Sequence, residues 1–355
     1  MKVAIDYRLA ALSNRGMARY ARELTECLIK QYPEDEWRLL VTPLGYERVC
    51  KENPALMGYL VRLPHEDLVV AEQWGMAGAV RAMGADLLWC PYNTMPLGSL
   101  GGAKLVVTVH DLIFLEPVVG GTLRQRLGAL YRRFMIRQVS KRADKLFTVS
   151  KYSKYEIANR LGLPPEKVII TFNCVDGFIR QYMYLPTNLK REDHYFTVSG
   201  DAPHKNLPML LRYFAEHPEE KLVVAGVPEG SPIRATASAN VTFLPPVSDK
   251  ELVRQYAVCK AFVFISKKEG FGFPVAEAIV AKCPLLLAKA ASIPEVAGYQ
   301  GVYIDPDSYE SLCDGFERLK VAEVNKSSFG WVVQHFFGWK NVADKVHANF
   351  KDLLD

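Results

Sequence analysis

Short apolar and β-branched runs recur along the first half of the chain, separated by longer stretches with helical spacing. They are KVAID at 2–6, WRLLVTP at 37–43, DLLWCP at 86–91, KLVVTVH at 104–110, KLFTVS at 145–150 and KVIITFN at 167–173. Such alternation predicts parallel βα units. It breaks at 179–193, IRQYMYLPTNLKRED, a polar, proline-containing stretch that reads as a linker. It then restarts with YFTVSG at 195–200, KLVVAG at 221–226, VTFLP at 241–245, AFVFIS at 261–266, PLLLA at 284–288 and GVYID at 301–305. The prediction is an α/β chain of two tandem Rossmann-like domains, 1–185 and 186–335. The last segment is aromatic from Trp331 and then takes helical spacing through Val342, Val346, Asn349, Phe350 and Leu353, so it should pack against something.

Composition narrows the class. The 355 residues are 49% hydrophobic and 23% charged, which suits one large or two ordinary globular domains and argues against disorder. No apolar run approaches the roughly 20 residues that cross a bilayer, and the chain enters its first strand-like segment without a signal-peptide core, so a cytoplasmic address is expected. Seven cysteines are scattered singly, without CxxC pairs, and read as reduced thiols. A net charge of +5 is too weak a bias to argue for nucleic acid, but suits an anionic substrate or a membrane surface.

The strongest local signal is SKKEGFGFPVAEA at 266–278, between a strand and a helix. Pro274 suits the first helical turn, and Gly270 and Gly272 let the backbone bend just before it. A helix start preceded by glycines can hold an anion such as a nucleotide diphosphate. Glu269 lies on the loop side of this turn and Glu277 one turn into the helix, where each could accept hydrogen bonds from sugar hydroxyls. The plainer alternative is a capped βα turn with two solvated glutamates.

This stretch, an E-x7-E from Glu269 to Glu277, resembles the retaining glycosyltransferases of GT-B fold grouped as family four. SIPEV at 292–296, DP at 305–306, TVHDLIF at 108–114, FTVSKYS at 147–153 and NCVD at 173–176 extend the resemblance over nearly the whole chain. It implies two Rossmann-like domains facing a central cleft, with a C-terminal helix (336–355) crossing back to complete the first, acceptor-side domain. The second domain would bind the nucleotide sugar, and the linker would bend to close the cleft. It further implies that Glu269 contacts hydroxyls of the donor sugar and Glu277 those of the ribose, with Phe271, Gly272 and Phe273 beside them.

Lys205, in VSGDAPHKN at 198–206, would neutralise the leaving diphosphate. Alone it reads as an exposed surface lysine; the family has a lysine here. An arginine usually accompanies that lysine, and this chain has none at Ser199–Gly200 or at His204, so either phosphate binding is weaker or His204 shares the role when protonated. His110 ends a strand at the end where α/β sheets bind ligands, and the HDL signature would aim it at the donor sugar. Gly16 and Arg19, in SNRGMARYAREL at 13–24, resemble the family's N-terminal loop near the phosphates and acceptor.

No metal and no cofactor are called for: the one D-x-D, DPD at 305–307, falls where the family has a structural loop. Retention in a glycosidase uses two close carboxylates, one as nucleophile. Here both glutamates are assigned to hydroxyl binding, and the family picture is front-face attack by the acceptor, with the departing phosphate taking its proton. The implied partners are a GDP-, UDP- or dTDP-sugar donor, with GDP-mannose first, and a glycan or lipid-linked glycan acceptor. A nucleotide-sugar epimerase and a catalytically silent nucleotide-sugar-binding module are the competing readings. Lastly, 123–142 holds seven arginines and lysines and no acid. It is either a solvated helix packed by Leu123, Leu127, Leu130 and Phe134, or a surface that leans on anionic lipid; family members that extend lipid-linked glycans at the cytoplasmic membrane face favour the second.

Overall fold

The computed structural model describes residues 1–13, 16–116, 123–186, 188–298, 300–322, 328–336 and 338–355. The chain forms two compact units, Met1–Cys174 with Gly338–Asp355, and Val175–Phe337. Among the described residues every strand pairing is parallel.

The first unit is built on a seven-stranded sheet. Its strands are β1 (Lys2–Asp6), β2 (Glu36–Val41), β3 (Leu60–Arg62), β4 (Leu87–Cys90), β5 (Lys104–Thr108), β6 (Lys145–Thr148) and β7 (Val168–Ile170), in the order β3-β2-β1-β4-β5-β6-β7. All four residues of β4 are buried, and β1 and β5 bury four of five, as helices on both faces require. β3 is the strand the sequence pattern misses. It is three residues long at the sheet edge, with none of them buried, so it carries no apolar run.

The helix Trp339–Leu354 belongs to this unit and packs on the helix Gly16–Gln31. Trp339 lies edge-on to Tyr20 at 5.8 Å and its indole N–H donates to Glu23. Gln31 and Tyr32 both donate to Asp344, at 2.7 and 2.6 Å. Phe350 meets Trp89 and Phe147, each with centroids 6.0 Å away, in the interior of the unit.

The helix Leu123–Arg142 corrects its sequence reading. It packs through Ala129, Met135, Ile136 and Val139, whereas Leu127, Leu130 and Phe134, the expected packing stripe, face outward. The Leu123 side chain lies outside the described residues.

The second unit holds a six-stranded sheet of β8 (Tyr195–Val198), β9 (Leu222–Ala225), β10 (Val241–Phe243), β11 (Ala261–Phe264), β12 (Leu285–Ala288) and β13 (Val302–Ile304), in the order β10-β9-β8-β11-β12-β13. It begins earlier than the expected 185/186 boundary. The helix Asp176–Met183 buries Phe178 and Ile179, with Phe178 edge-on to Tyr256 at 5.4 Å. The stretch read as linker is tied down further on, where Arg191 donates to the carbonyls of Cys259 and Lys282 at 2.7 Å each. The ends of the unit meet as Val175 N–H donates to Phe336 O at 3.0 Å. Phe336, expected with the terminal helix, packs edge-on to Phe271 in this unit at 5.2 Å.

Phe350→Ala should cost the first unit about 3–5 kcal/mol, the usual result of emptying a buried aromatic site. Exposed Lys351→Ala should stay within about 0.5 kcal/mol. Urea unfolding followed by circular dichroism measures both; equal, small effects would contradict the packing of the terminal helix described above.

Candidate active site

In a parallel sheet the loops leaving the carboxyl ends of the strands collect at one edge, and where the strand order reverses they part and leave a crevice. In the second sheet that reversal lies between β8 and β11. Lys205 follows β8 and Glu269 follows β11, so the fold brings to one place two residues 64 positions apart: Lys205 Nζ meets Glu269 Oε1 at 2.6 Å.

Side chains stitch four loops together here. Ser266, buried at the end of β11, donates to the carbonyls of His204 and Lys268, each 3.1 Å away, and Lys267 N–H reaches His204 O at 2.7 Å. Asn206 accepts a left-handed φ of 58°, which asparagine tolerates, and its amide donates to Pro306 O at 2.8 Å. Ser292, fully buried after β12, contacts the carbonyls of Glu269 and Phe271 at 3.0 and 2.8 Å. HKN, SKKEGFG, SIPEV and DP, distant in sequence, are thus one hydrogen-bonded cluster.

Lys205 is partly covered, with its ammonium 5.6 Å from the centre of the Phe264 ring, so its charge is held by Glu269 on one side and an aromatic face on the other. Burial, then the charges of Lys205 and Lys268, push the His204 pKa below its ordinary value, with Glu269 pulling the other way. That shift opposes the expectation that His204 shares the role of Lys205 when protonated, while its imidazole can offer a phosphate a hydrogen bond in either form.

Gly272 has φ +95°, a conformation that a side chain would strain, and caps the helix Phe273–Val280. Val275 N–H donates to Gly272 O at 3.0 Å and Pro274 has no N–H, so this helix start offers an anion mainly its dipole. Phe271 is buried against Phe273 and Phe336. Glu277 is not solvated: it is 5% exposed and accepts a hydrogen bond from the Tyr256 hydroxyl at 3.0 Å. Burial and the Glu277 charge hold the Tyr256 hydroxyl well above its ordinary pKa, so it stays a donor. Tyr256 escaped sequence reading because it looks like an ordinary helical core aromatic.

The DPD carboxylates are already engaged. Asp307 pairs with Lys267 at 2.6 Å, and Asp305 accepts the N–H of Asp307 at 2.9 Å, which is how an acidic turn holds its own shape.

In the first unit His110 follows β5 and is 5% exposed. Its N–H donates to Asn93 Oδ1 at 2.9 Å and Nε2 lies 2.9 Å from Pro91 O, so the ring proton sits on Nε2, since a carbonyl only accepts. Burial lowers its pKa from 6.5 to about 4, with the Pro91 bond opposing, so His110 is a neutral imidazole. Arg19 pairs with Glu23 at 2.9 Å, the carboxylate that also receives Trp339, while Gly16 is exposed at the start of its helix.

Sequence reading missed a buried charge cluster at the reversal point of the first sheet, between β1 and β4. Arg8 donates to Asp6 at 2.8 and 2.7 Å and to Glu72 at 2.7 Å, and Glu72 also accepts Thr94 at 2.6 Å and the Tyr131 hydroxyl. Burial alone would lower the Arg8 pKa; Asp6 and Glu72 more than reverse it. The available signal was Asp6, an acid at the end of an otherwise apolar strand.

Known proteins resemble both halves. Residues 14–177 match the model described as Glycosyltransferase Family 4, and 186–327 the one described as Glycosyl transferases group 1. The chain is 26% identical over 259 residues to the O-antigen chain mannosyltransferase RfbU of Salmonella typhimurium, covering 66% of this chain and 71% of that one. It is 27% identical over 229 residues to O-antigen chain mannosyltransferase B of Escherichia coli, covering 59% of each. Among solved structures, Anabaena HepE with UDP-glucose superposes with TM-score 0.69 at 16% identity, covering 99% of this chain and all of that one. WaaG, described as a glycosyltransferase involved in lipopolysaccharide biosynthesis, gives 0.66 at 16%, covering 100% and 99%. The fold is thus the two-domain α/β architecture called GT-B.

A histidine held neutral below its unfolded pKa stabilises the fold fully above about pH 6.5, and that stability is lost as pH falls towards 4, because the unfolded chain takes up the proton first. For His110 the loss across this window is roughly 3 kcal/mol. Denaturant unfolding of the first unit at several pH values should show a shallower acid slope in His110→Gln; an unchanged slope would contradict the buried neutral imidazole.

Proposed function

The chain belongs to glycosyltransferase family four, and from that premise we propose that it moves a hexosyl group, with mannose first, from a nucleotide-diphosphate sugar to a glycan or lipid-linked glycan in surface polysaccharide synthesis, retaining the anomeric configuration. The observation that carries this reading is the convergence of Lys205, Glu269 and the stitched loops at the reversal point of the second sheet, with Glu277 on the next helix. The mannosyltransferase names of the sequence relatives support the donor sugar, and the UDP-glucose complex of a structural neighbour supports a nucleotide-diphosphate donor. The proposed place of action is the cytoplasmic face of a membrane that carries the growing glycan.

In this scheme Glu277, fixed by Tyr256, accepts from the ribose hydroxyls, and Glu269 accepts from hydroxyls of the sugar. Lys205, now paired with Glu269, turns part of its charge to the diphosphate. As the bond from the anomeric carbon to the phosphate oxygen breaks, negative charge grows on that oxygen, which is where an ammonium helps most. The acceptor hydroxyl attacks from the same face and its proton passes to the departing phosphate. His110, a neutral imidazole, orients a sugar hydroxyl rather than supplying charge. No divalent ion is required in this scheme; the Lys267–Asp307 pair and the Asp305 turn support that, since both carboxylates already have partners.

A catalytically silent nucleotide-sugar binder is the second reading, favoured by the phosphate-site arginine that the chain lacks. Donor turnover separates the two, and release of free sugar without epimerised donor separates the transferase from an epimerase. Lys205→Ala is expected to lower kcat by about 10²–10³-fold, the usual effect of losing one preorganised charge-stabilising donor. An unchanged kcat would remove its role.

Glu277→Ala should weaken donor binding about 10- to 150-fold, the value of one charge-assisted hydrogen bond. Glu277→Gln, whose amide oxygen can still accept from Tyr256, should keep the fold and lose less. Calorimetric titration with nucleotide sugars reads both; wild-type affinity in folded Glu277→Ala would rule out the ribose contact. Turnover should also persist in chelator. Loss restored by magnesium or manganese would return attention to Asp305 and Asp307.

A further inference from the structure

Two of the seven cysteines, isolated in sequence, meet in the second unit. Cys259 closes the helix Asp249–Val258, and Cys283 stands in the turn between the helix Phe273–Val280 and β12. Their sulfurs lie 3.7 Å apart, at unbonded contact, and both residues are buried, at 0 and 4% exposed. A sulfur–sulfur bond is about 2.05 Å long, so closing it takes roughly 1.6 Å of approach, shared between two side chains.

The two thiols also share a carbonyl. A helix leaves its last carbonyls without donors of its own. Lys260 N–H, which would close the next turn onto Tyr256 O, donates instead to His194 O at 2.7 Å. Tyr256 O takes the thiols in its place, Cys283 at 2.8 Å and Cys259 at 3.4 Å. Arg191 fastens the backbone beside both sulfurs, through the carbonyls of Cys259 and Lys282. The thiols thus cap the turn from which Tyr256 sends its hydroxyl to Glu277, 3.0 Å away.

We propose that Cys259 and Cys283 form a reversible thiol–disulfide site, and that closing it weakens donor binding. The oxidant is hydrogen peroxide. One thiol takes an oxygen from it to become a sulfenic acid, releasing one water. The second sulfur then attacks the first, forming the S–S bond and expelling hydroxide, which leaves as water with the second thiol's proton. Cys283 reacts first, since it adjoins exposed Lys282. The hydrogen bond to Cys283, and then burial, hold the Cys259 thiol well above its ordinary pKa, so the reduced pair reacts slowly and persists in a reducing compartment. A disulfide has no S–H, so Tyr256 O loses both thiol donors and the buried turn must rearrange around it. Tyr256 and Glu277 carry that rearrangement to the donor. This route rests on the ribose contact proposed above; the sulfur chemistry does not.

The test treats the full chain with hydrogen peroxide, alkylates the remaining thiols and maps tryptic peptides by mass. Peptides 255–260 and 283–289 should appear joined, and dithiothreitol should separate them. In calorimetric titration with GDP-mannose the oxidised chain should bind about 5- to 150-fold more weakly, the usual coupling between two sites. By the same linkage, GDP-mannose should shift equilibrium with the glutathione couple towards the dithiol by that factor. Cys259→Ser, and independently Cys283→Ala, should bind donor equally with and without peroxide. No joined peptide while the partly exposed Cys27, Cys50 and Cys313 oxidise would overturn the site. A complete link with unchanged affinity, or an equal loss in peroxide-treated Cys259→Ser, would overturn the coupling. Wild-type affinity in Glu277→Ala would remove the ribose route alone, and the oxidised and reduced chains would still decide the proposal.

Discussion

Parallel pairing is the constraint from which the rest follows. A strand with neighbours on both sides and helices on both faces has its backbone and side chains fully used, so freedom remains only in the loops that leave its carboxyl end. In the second sheet those loops carry Lys205, Glu269, Phe271 and Gly272 of the candidate donor site, while Phe273, Glu277 and its partner Tyr256 stand on helices packed against the sheet. The buried hydroxyls of Ser266 and Ser292 do the joining: each spans carbonyls of neighbouring loop residues, so the loops brace one another. A site preorganised in this way loses little freedom when a nucleotide arrives.

Electrostatics within the site divides the labour. Lys205 holds its charge against Glu269, and burial with the charges of Lys205 and Lys268 pushes the His204 pKa below its ordinary value. The Lys205–Glu269 ion pair is poised rather than idle: partly exposed, it is worth little to stability, and a diphosphate can compete for the lysine at small cost. Glu277 is the opposite case. Buried and hydrogen-bonded, it cannot swing away, which suits a residue that fixes position more than one that follows charge.

Much of this was legible because the relevant physics repeats locally. Continuous apolar runs located twelve strands, and glycine before proline at a strand–helix turn located the Glu269–Glu277 segment. What escaped depends on three-dimensional partners. β3 is a half-buried edge strand and leaves no apolar signature. The unit boundary moved because the helix Asp176–Met183, which runs into the stretch that reads as polar, buries Phe178 and Ile179 in the second unit. Helical periodicity found the stripe of Leu127, Leu130 and Phe134 but could not say which way it faces, because period alone does not distinguish a packed face from an exposed one.

The charge cluster of Asp6, Arg8 and Glu72 carries this last point further. Burying one cation between two carboxylates is costly unless every oxygen finds a donor. Here Arg8, Thr94, Tyr131 and Gln73 supply those donors, all four from outside the strands. Removing Arg8 would leave two buried carboxylates without their cation, so the cluster ties the end of β1 to the π-turn and to the basic helix with a specificity that apolar packing there would lack. Sequence offers each of these residues as an unremarkable polar position separated by tens of others. Only the fold makes them one object, and its position at the reversal point of the first sheet, the counterpart of the place Lys205 and Glu269 occupy in the second, shows the same topology used once for a poised, partly exposed pair and once for a closed, saturated brace.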